Sequence, residues 1–242
     1  MFKNYNESLT VVFNLAKTAV LFTGGKDSTF ALHRAVEAGL DVCVLVSIIP
    51  HYNYSPLYHK PFFEGVKCQA YALRLPLETI GVYSESAEKY ALINVLKRVR
   101  EKYKVEVLVT GAVKSRFQER VFREIANTVG LELYNPLWGI SEEDYLEKLL
   151  EYGVEFMLIS ITSMGIPLSL LGKVLGYSDV VRLKSLAVKY GFNLSFEGGD
   201  AETFVVNAPL FKYRVAVKGR SVVVSEYEGY FVISKCGLVE KY

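Results

Sequence analysis

The chain has 242 residues, 51% of them hydrophobic, with 28 Lys and Arg against 26 Asp and Glu and a formal net charge of +2. That length and apolar share suffice for a packed core in one large domain or two small ones and exclude a disordered chain; the near-neutral balance supplies no field that would gather DNA or a membrane surface, so neither is an expected partner. Cys43, Cys68 and Cys236 stand far apart without a CxxC pair, which argues against a disulfide framework and a zinc ribbon and reads them as small buried hydrophobes in a reduced, cytoplasmic setting.

In chain order, "LTVVFNLA" has the look of a short signal core after Lys3, but Asn14 interrupts it and a strand follows almost at once, so no leader is expected. Apolar runs then alternate with polar or periodic segments: "TAVLFT", "DVCVLVSII", "LPLETIGVY", "VEVLVTGA" and "LELYNPLW". This is the pattern of a parallel α/β sheet. Between the last two runs, Ser115 to Val129 reads as a helix with Ser115 as N-cap, Gln118 as its capping-box partner, an apolar face of Val121, Phe122, Ile125 and Val129, and Gly130 as terminator. After "NPLWG" the texture changes. Ser141 to Tyr152 reads as a helix, "VEFMLISIT" as a strand, Asp179 to Tyr190 as a helix, and the tail from Tyr213 alternates like antiparallel strands around glycine turns. The expected architecture is a parallel-sheet α/β domain over residues 1–139 followed by a smaller α+β domain over 140–242.

The junction "LFTGGKDST" between the first strand and the first helix carries the chemistry. A Walker A loop fails, because Val20 stands where its first glycine belongs and Asp27 follows Lys26 where a hydroxyl is needed. A dinucleotide fingerprint also fails, since Lys26 occupies a glycine position. What remains is Thr23, Gly24, Gly25, Lys26, Asp27 and Ser28 around a helix N-terminus, a cradle of hydroxyls and backbone amides suited to pyrophosphate. The bland alternative is a glycine turn with a solvated lysine.

This loop resembles the SGGxDS loop of the PP-loop ATP pyrophosphatases, with Thr23 in place of the serine. Three further stretches, "TGAVKSRFQ", "NPLWG" and "FEGGDAETFVVNAPLF", resemble the diphthine-ammonia ligase family of archaeal type, from about Thr18 to Phe211. Glu197, Gly198, Gly199, Glu202 and Thr203 match the family's acidic motif, whereas Asp200 is a shortened acid and Asn207 replaces an aspartate. In "SPLYHKP", His59 and Pro61 match and Phe62 replaces an asparagine; Val121 stands where an arginine is usual, with Arg120 and Arg123 nearby.

The resemblance implies a HUP-like, adenine nucleotide alpha hydrolase-like first domain. It also implies an activity: ATP-dependent amidation of diphthine on the translocation elongation factor by ammonium, through an acyl-adenylate, releasing AMP and pyrophosphate. ATP and Mg2+ are the implied cofactors, and a homodimer is compatible with it. Catalytic roles fall to Lys26, Asp27, Glu197, Asp200 and Glu202. Nucleotide contacts fall to Thr23 through Ser28 and to Ser47, Gly111 and Ala112, with adenine beyond the ends of "LVSII" and "VTGA". Substrate contacts fall to His59, Ser115, Gln118, Trp138, Gly198, Gly199 and Thr203. Asp27 is either the magnesium ligand or a helix cap. The acid motif could orient ammonium or magnesium, face the trimethylammonium of diphthine, or be a solvated turn. His59 is a ligand contact or a surface residue, and Trp138 a core anchor or a pocket wall. His33 reads as helix surface. Two other readings stay open: another PP-loop adenylating enzyme, such as one modifying tRNA, and an ATP- or AMP-binding module without turnover. The ligase reading also requires the second domain to fold back so that "EGGDAET" reaches the nucleotide cleft.

Overall fold

The apolar runs of the first half pair as parallel neighbours, because a helical crossover separates each from the next. A computed structural model of the chain describes residues 15–52 and 62–241. In it β1 (Lys17–Leu21), α1 (Lys26–Glu37), β2 (Asp41–Pro50), α2 (Phe63–Leu73), β3 (Leu77–Val82), α3 (Glu88–Tyr103), β4 (Val107–Val109), α4 (Arg116–Val129) and β5 (Glu132–Tyr134) follow in order. The five strands form one parallel sheet, β3-β2-β1-β4-β5. The order switches at β1, which lies between β2 and β4, and such a switch opens a crevice beyond the carboxyl ends of the strands.

Successive strand residues face opposite sides. Val20, Leu45 and Val109 share one core with Phe30, Ala31 and Leu32 of α1 and Val66 and Ala70 of α2; Ala19, Val44 and Leu108 share another with Leu92, Val95 and Leu96 of α3 and Phe122, Ile125 and Ala126 of α4. The expected ends of α4 hold: Ser115 is the N-cap, its hydroxyl accepts from the Gln118 N–H at 3.3 Å, and Gly130 closes the helix at φ 73°.

The second half supplies α5 (Tyr145–Glu151), β6 (Glu155–Ile161), α6 (Tyr177–Tyr190), β7 (Ala201–Asn207), β8 (Arg214–Val223) and β9 (Gly229–Val239). Its strands form an antiparallel sheet in the order β7-β6-β9-β8. Helix α5 starts at Tyr145 rather than Ser141. Helix α6 starts two residues earlier than its apolar pattern suggests, because the Asp179 carboxylate accepts from the Gly176 N–H at 3.0 Å and so stands inside the first turn. β7 is an additional strand, and its charged start hides it from a pattern reading. Phe156, Leu158, Phe204 and Phe211 join the core on the α1 side, so the second sheet buries its apolar face against the first unit; each fully buried side chain of that size contributes about 1.5–3 kcal/mol.

The cysteine reading needs correction. Cys68 of α2 and Cys236 of β9 form a disulfide across 168 residues, with Cα atoms 6.7 Å apart, because packing of α2 against the second sheet brings together residues whose sequence spacing carries no such signal. Cys43 is free and half-buried. Among the described residues no helix is long and apolar enough to cross a membrane.

Candidate nucleotide-binding site

β1 ends at the crevice, held there by the Phe22 N–H donating to Val46 O at 2.8 Å. The chain then turns through Gly24 at φ 80°, a conformation that glycine adopts without strain, and enters α1 with Gly25 as a cap that supplies no side-chain acceptor. The first turn of a helix leaves its amides unpaired. Here the Lys26 N–H donates to Thr203 Oγ1 at 3.0 Å, while among the described residues the amides of Gly25, Asp27 and Ser28 find no acceptor. The Thr23 and Ser28 hydroxyls lie 3.2 Å apart beside them, and Ser28 Oγ donates to Gly25 O at 3.2 Å. Amides, hydroxyls and the positive end of α1 thus converge on one spot, the donor set of an anion cradle.

Gly111 closes the other side. A Cβ there would stand 2.8 Å from Asp27 C and Ser28 N, so the loop after β4 packs directly on the start of α1. Ala112 is buried next to it. Ser47 Oγ, Thr110 Oγ1 and both side-chain polar atoms of Asn135 are buried without a partner among the described residues. All lie towards or beyond the carboxyl ends of β2, β4 and β5. Buried polar atoms left unpaired are costly, and their concentration at this edge fits a polar ligand such as a nucleotide.

Lys26 occupies an unexpected position. The residue is only 2% exposed, and its ammonium donates to Ser195 O at 2.6 Å and to both Asp27 oxygens at 2.8 and 3.0 Å, near the rings of Tyr145 and Phe196. It therefore faces the C-terminal half and does not lie over the cradle. Asp27 also accepts from the hydroxyl of the fully buried Tyr145 at 2.6 Å. Burial first, and then the Asp27 carboxylate, push the Tyr145 phenol well above its ordinary range, which keeps it a donor. As a metal ligand, Asp27 offers one carboxylate whose oxygens are already engaged. Among the described residues no group of three His, Cys, Asp or Glu could hold an ion, so any magnesium would depend on phosphate oxygens for most of its shell.

The acidic motif does fold back to the loop, but its carboxylates separate. Glu197 Oε1 accepts from the Val113 and Lys114 N–H groups at 3.0 and 3.1 Å, pinning the loop after β4. Asp200 accepts from the Asn193 N–H at 2.9 Å. Glu202 pairs with Ser160 in the β6–β7 ladder, and Ser160 pairs with Tyr230 on its other side, which puts Glu202 on the β7 face opposite Thr203. The Tyr230 phenol is raised first by its hydrogen bond to Glu228, then by burial and by the carboxylates of Glu228 and Glu202. Gly198 and Gly199, at φ 85° and 89°, make the turn that lets the motif do this. A single three-acid cluster does not form.

The other expected contacts divide. Ser115 and Gln118 meet at the start of α4, where Ser115 serves as its cap. Trp138 is 43% exposed, which rules out the core-anchor reading. His59 lies outside the described residues. His33 is fully buried rather than on the helix surface, with Nδ1 2.8 Å from Thr29 O and Nε2 accepting from the Leu210 N–H at 3.0 Å. Tyr145, Ser195 and Gln69 escape the sequence reading. Tyr145 sits at an apolar position of α5 and Ser195 acts through its main chain, so neither leaves a pattern. Gln69 does leave one, as a lone polar residue among Val66, Ala70 and Leu73.

Two family models match this chain, the diphthamide synthase N-terminal domain over residues 16–133 and the diphthamide synthase C-terminal domain over 141–239. Diphthine–ammonia ligase of Homo sapiens is 28% identical over 93% of this chain and 91% of its own length, and that of Rattus norvegicus 29% identical over 88% and 87%. A crystal structure titled as a predicted subunit of tRNA methyltransferase from Methanocaldococcus jannaschii aligns with a TM-score of 0.44 and 16% identity over 80% of this chain and 98% of that one, a similarity too distant to bear on function.

Proposed function

The chain belongs to the diphthamide synthase family, and we propose on that footing that it is an ATP-dependent ligase that amidates diphthine on the translocation elongation factor with ammonium, releasing AMP and pyrophosphate. The observation that carries the reading is the cradle itself: the amides of Gly25, Asp27 and Ser28 at the start of α1, without an acceptor among the described residues, beside the Lys26 amide that Thr203 of the acidic motif holds. A carboxylate resists attack by ammonia; transfer of AMP onto it creates a good leaving group, and the pyrophosphate set free carries the growing charge. Donors already aimed at that charge lower the barrier without reorganising.

In this reading Gly25, Asp27 and Ser28 hold phosphate oxygens through their amides, with Thr23 and Ser28 adding hydroxyls. Ser47, Gly111 and Ala112 line the nucleotide side. Asp27 would give one oxygen to a magnesium ion brought by the phosphates, which supplies charge neutralisation when bound. Lys26 acts from behind the cradle by orienting Asp27, and Glu197 holds the Val113–Lys114 peptide in place. Trp138, Gly198 and Gly199 are assigned in this reading to contacts with the modified histidine. The reading carries with it a cytoplasmic location beside the elongation factor, no part for DNA or a membrane, a division of the chain near Gly139, and self-association as a homodimer.

The test is incubation with ATP, ammonium and elongation factor bearing diphthine, followed by mass spectrometry of the factor and assay of AMP. Conversion of the carboxyl to the amide with AMP formation that depends on the factor is expected. AMP formation without change in the factor, or no turnover with a factor that a known ligase amidates, overturns the assignment.

A further inference from the structure

Gln69 is fully buried in α2, and its carboxamide reaches two backbones that are distant in sequence. Nε2 donates to Gly24 O at 2.8 Å and to Val205 O at 2.7 Å, and the Val205 N–H itself donates to Gly24 O at 3.0 Å. The side chain therefore completes a small ladder between the phosphate loop and β7, supplying the donor that Val205 O would otherwise lack. Gly24 fits the same arrangement. Its φ is 80°, and a Cβ would overlap Gln69 Oε1, so the amide lies flat against the turn. The Gly24 peptide sets the direction of the amides that follow it, and both acceptor sites of its carbonyl are filled from outside the loop.

We propose that Gln69 is a positioning residue for phosphate binding: by clamping the Gly24 carbonyl to β7 it fixes the orientation in which the Gly25, Asp27 and Ser28 amides meet the anion. The inference rests on the reading of this loop as an ATP cradle. An unclamped Gly24 peptide can rotate, and the amides then spend part of their time misdirected, a cost that ATP binding has to meet. Adenosine has no phosphate and does not feel that cost. The neighbouring Cys68–Cys236 disulfide keeps α2 against the second sheet, so removing the Gln69 amide does not by itself release the helix.

The experiment measures dissociation constants for a non-hydrolysable ATP analogue and for adenosine by calorimetry, in the wild type, Gln69→Glu and Gln69→Leu. Gln69→Glu keeps the shape and sets an oxygen against two carbonyls; Gln69→Leu removes the donors without adding charge and serves if the glutamate variant does not fold. Affinity for the ATP analogue is expected to fall by about tenfold or more, the order set by losing a hydrogen bond, with adenosine affinity unchanged. Loss of both ligands in equal proportion indicates a merely structural role and overturns the proposal, as does undiminished ATP binding in a folded variant. A wild type that binds the ATP analogue no better than adenosine overturns the cradle reading and this inference with it.

Discussion

Asp27 accepts two hydrogen bonds from the Lys26 ammonium and one from the Tyr145 hydroxyl, and these surroundings define what single substitutions should do. Tyr145→Phe keeps the packed ring and removes one hydroxyl that donates to a carboxylate. Such charge-assisted bonds contribute about 1.5–3 kcal/mol; a drop of that order in the urea unfolding free energy is expected, together with slower amide formation, and an unchanged unfolding midpoint would sink the assignment. Lys26→Ala is expected to lower turnover by roughly tenfold to a hundredfold through the misplacement of Asp27, since the ammonium lies on Ser195 O and Asp27. If Lys26→Ala raises the dissociation constant of ATP and leaves the catalytic rate untouched, a direct phosphate contact is the better account. The two matching acids should part company as well. Glu197→Gln loses charge at two backbone amides of the site and should slow ligation, whereas Glu202→Gln, on the opposite face of β7 beside Tyr230, should stay within about twofold of wild type, a change worth less than half of the 1.4 kcal/mol that a tenfold effect requires.

Helix α1 does more than begin the cradle. Near its middle His33 accepts from the Leu210 N–H through Nε2, which requires the ring to be neutral with its proton on Nδ1, facing Thr29 O. Leu210 belongs to the "NAPLF" stretch, so this bond ties the helix of the first unit to the exit from β7. Burial depresses the His33 pKa below its ordinary value of 6.5, against smaller opposing effects of the Thr29 carbonyl and Glu37. In the window below 6.5 and above the depressed value, the unfolded chain binds a proton that the folded chain refuses. The contribution of neutral His33 is therefore complete above pH 6.5 and is lost as pH falls through the folded value. Chemical unfolding followed from pH 7.5 to 5 should show stability declining more steeply in the wild type than in His33→Gln; parallel profiles would show that His33 does not titrate in this way. The same strand exit explains one departure from the family pattern, because Asn207 donates through Nδ2 to Glu155 Oε1 at 2.8 Å, where an aspartate would bring two carboxylates together.

Across the whole molecule the two sheets are joined by a shared apolar core, by the roof that Thr203 sets over Lys26, and by the Cys68–Cys236 disulfide. Closing a loop that long in the unfolded chain lowers its entropy, and native disulfides typically contribute about 2–4 kcal/mol. Reduction, or Cys236→Ser, should lower the unfolding free energy by that order, and a melting temperature indifferent to reductant would show that the bridge is not formed in solution. The parallel α/β half, the glycine turn between β1 and α1, and the capped start of α4 could all be read from the sequence, because periodicity, turn residues and capping residues act within a few positions of one another. The contacts of Gln69 with Val205, of Lys26 with Ser195, of Asp27 with Tyr145 and of Glu197 with Val113, and the pairing of Cys68 with Cys236, span stretches of chain that no local pattern connects. They required the packed tertiary structure, since a side chain's partner, and whether a charge faces a phosphate or a carbonyl, depend on which backbone the fold brings within hydrogen-bond reach.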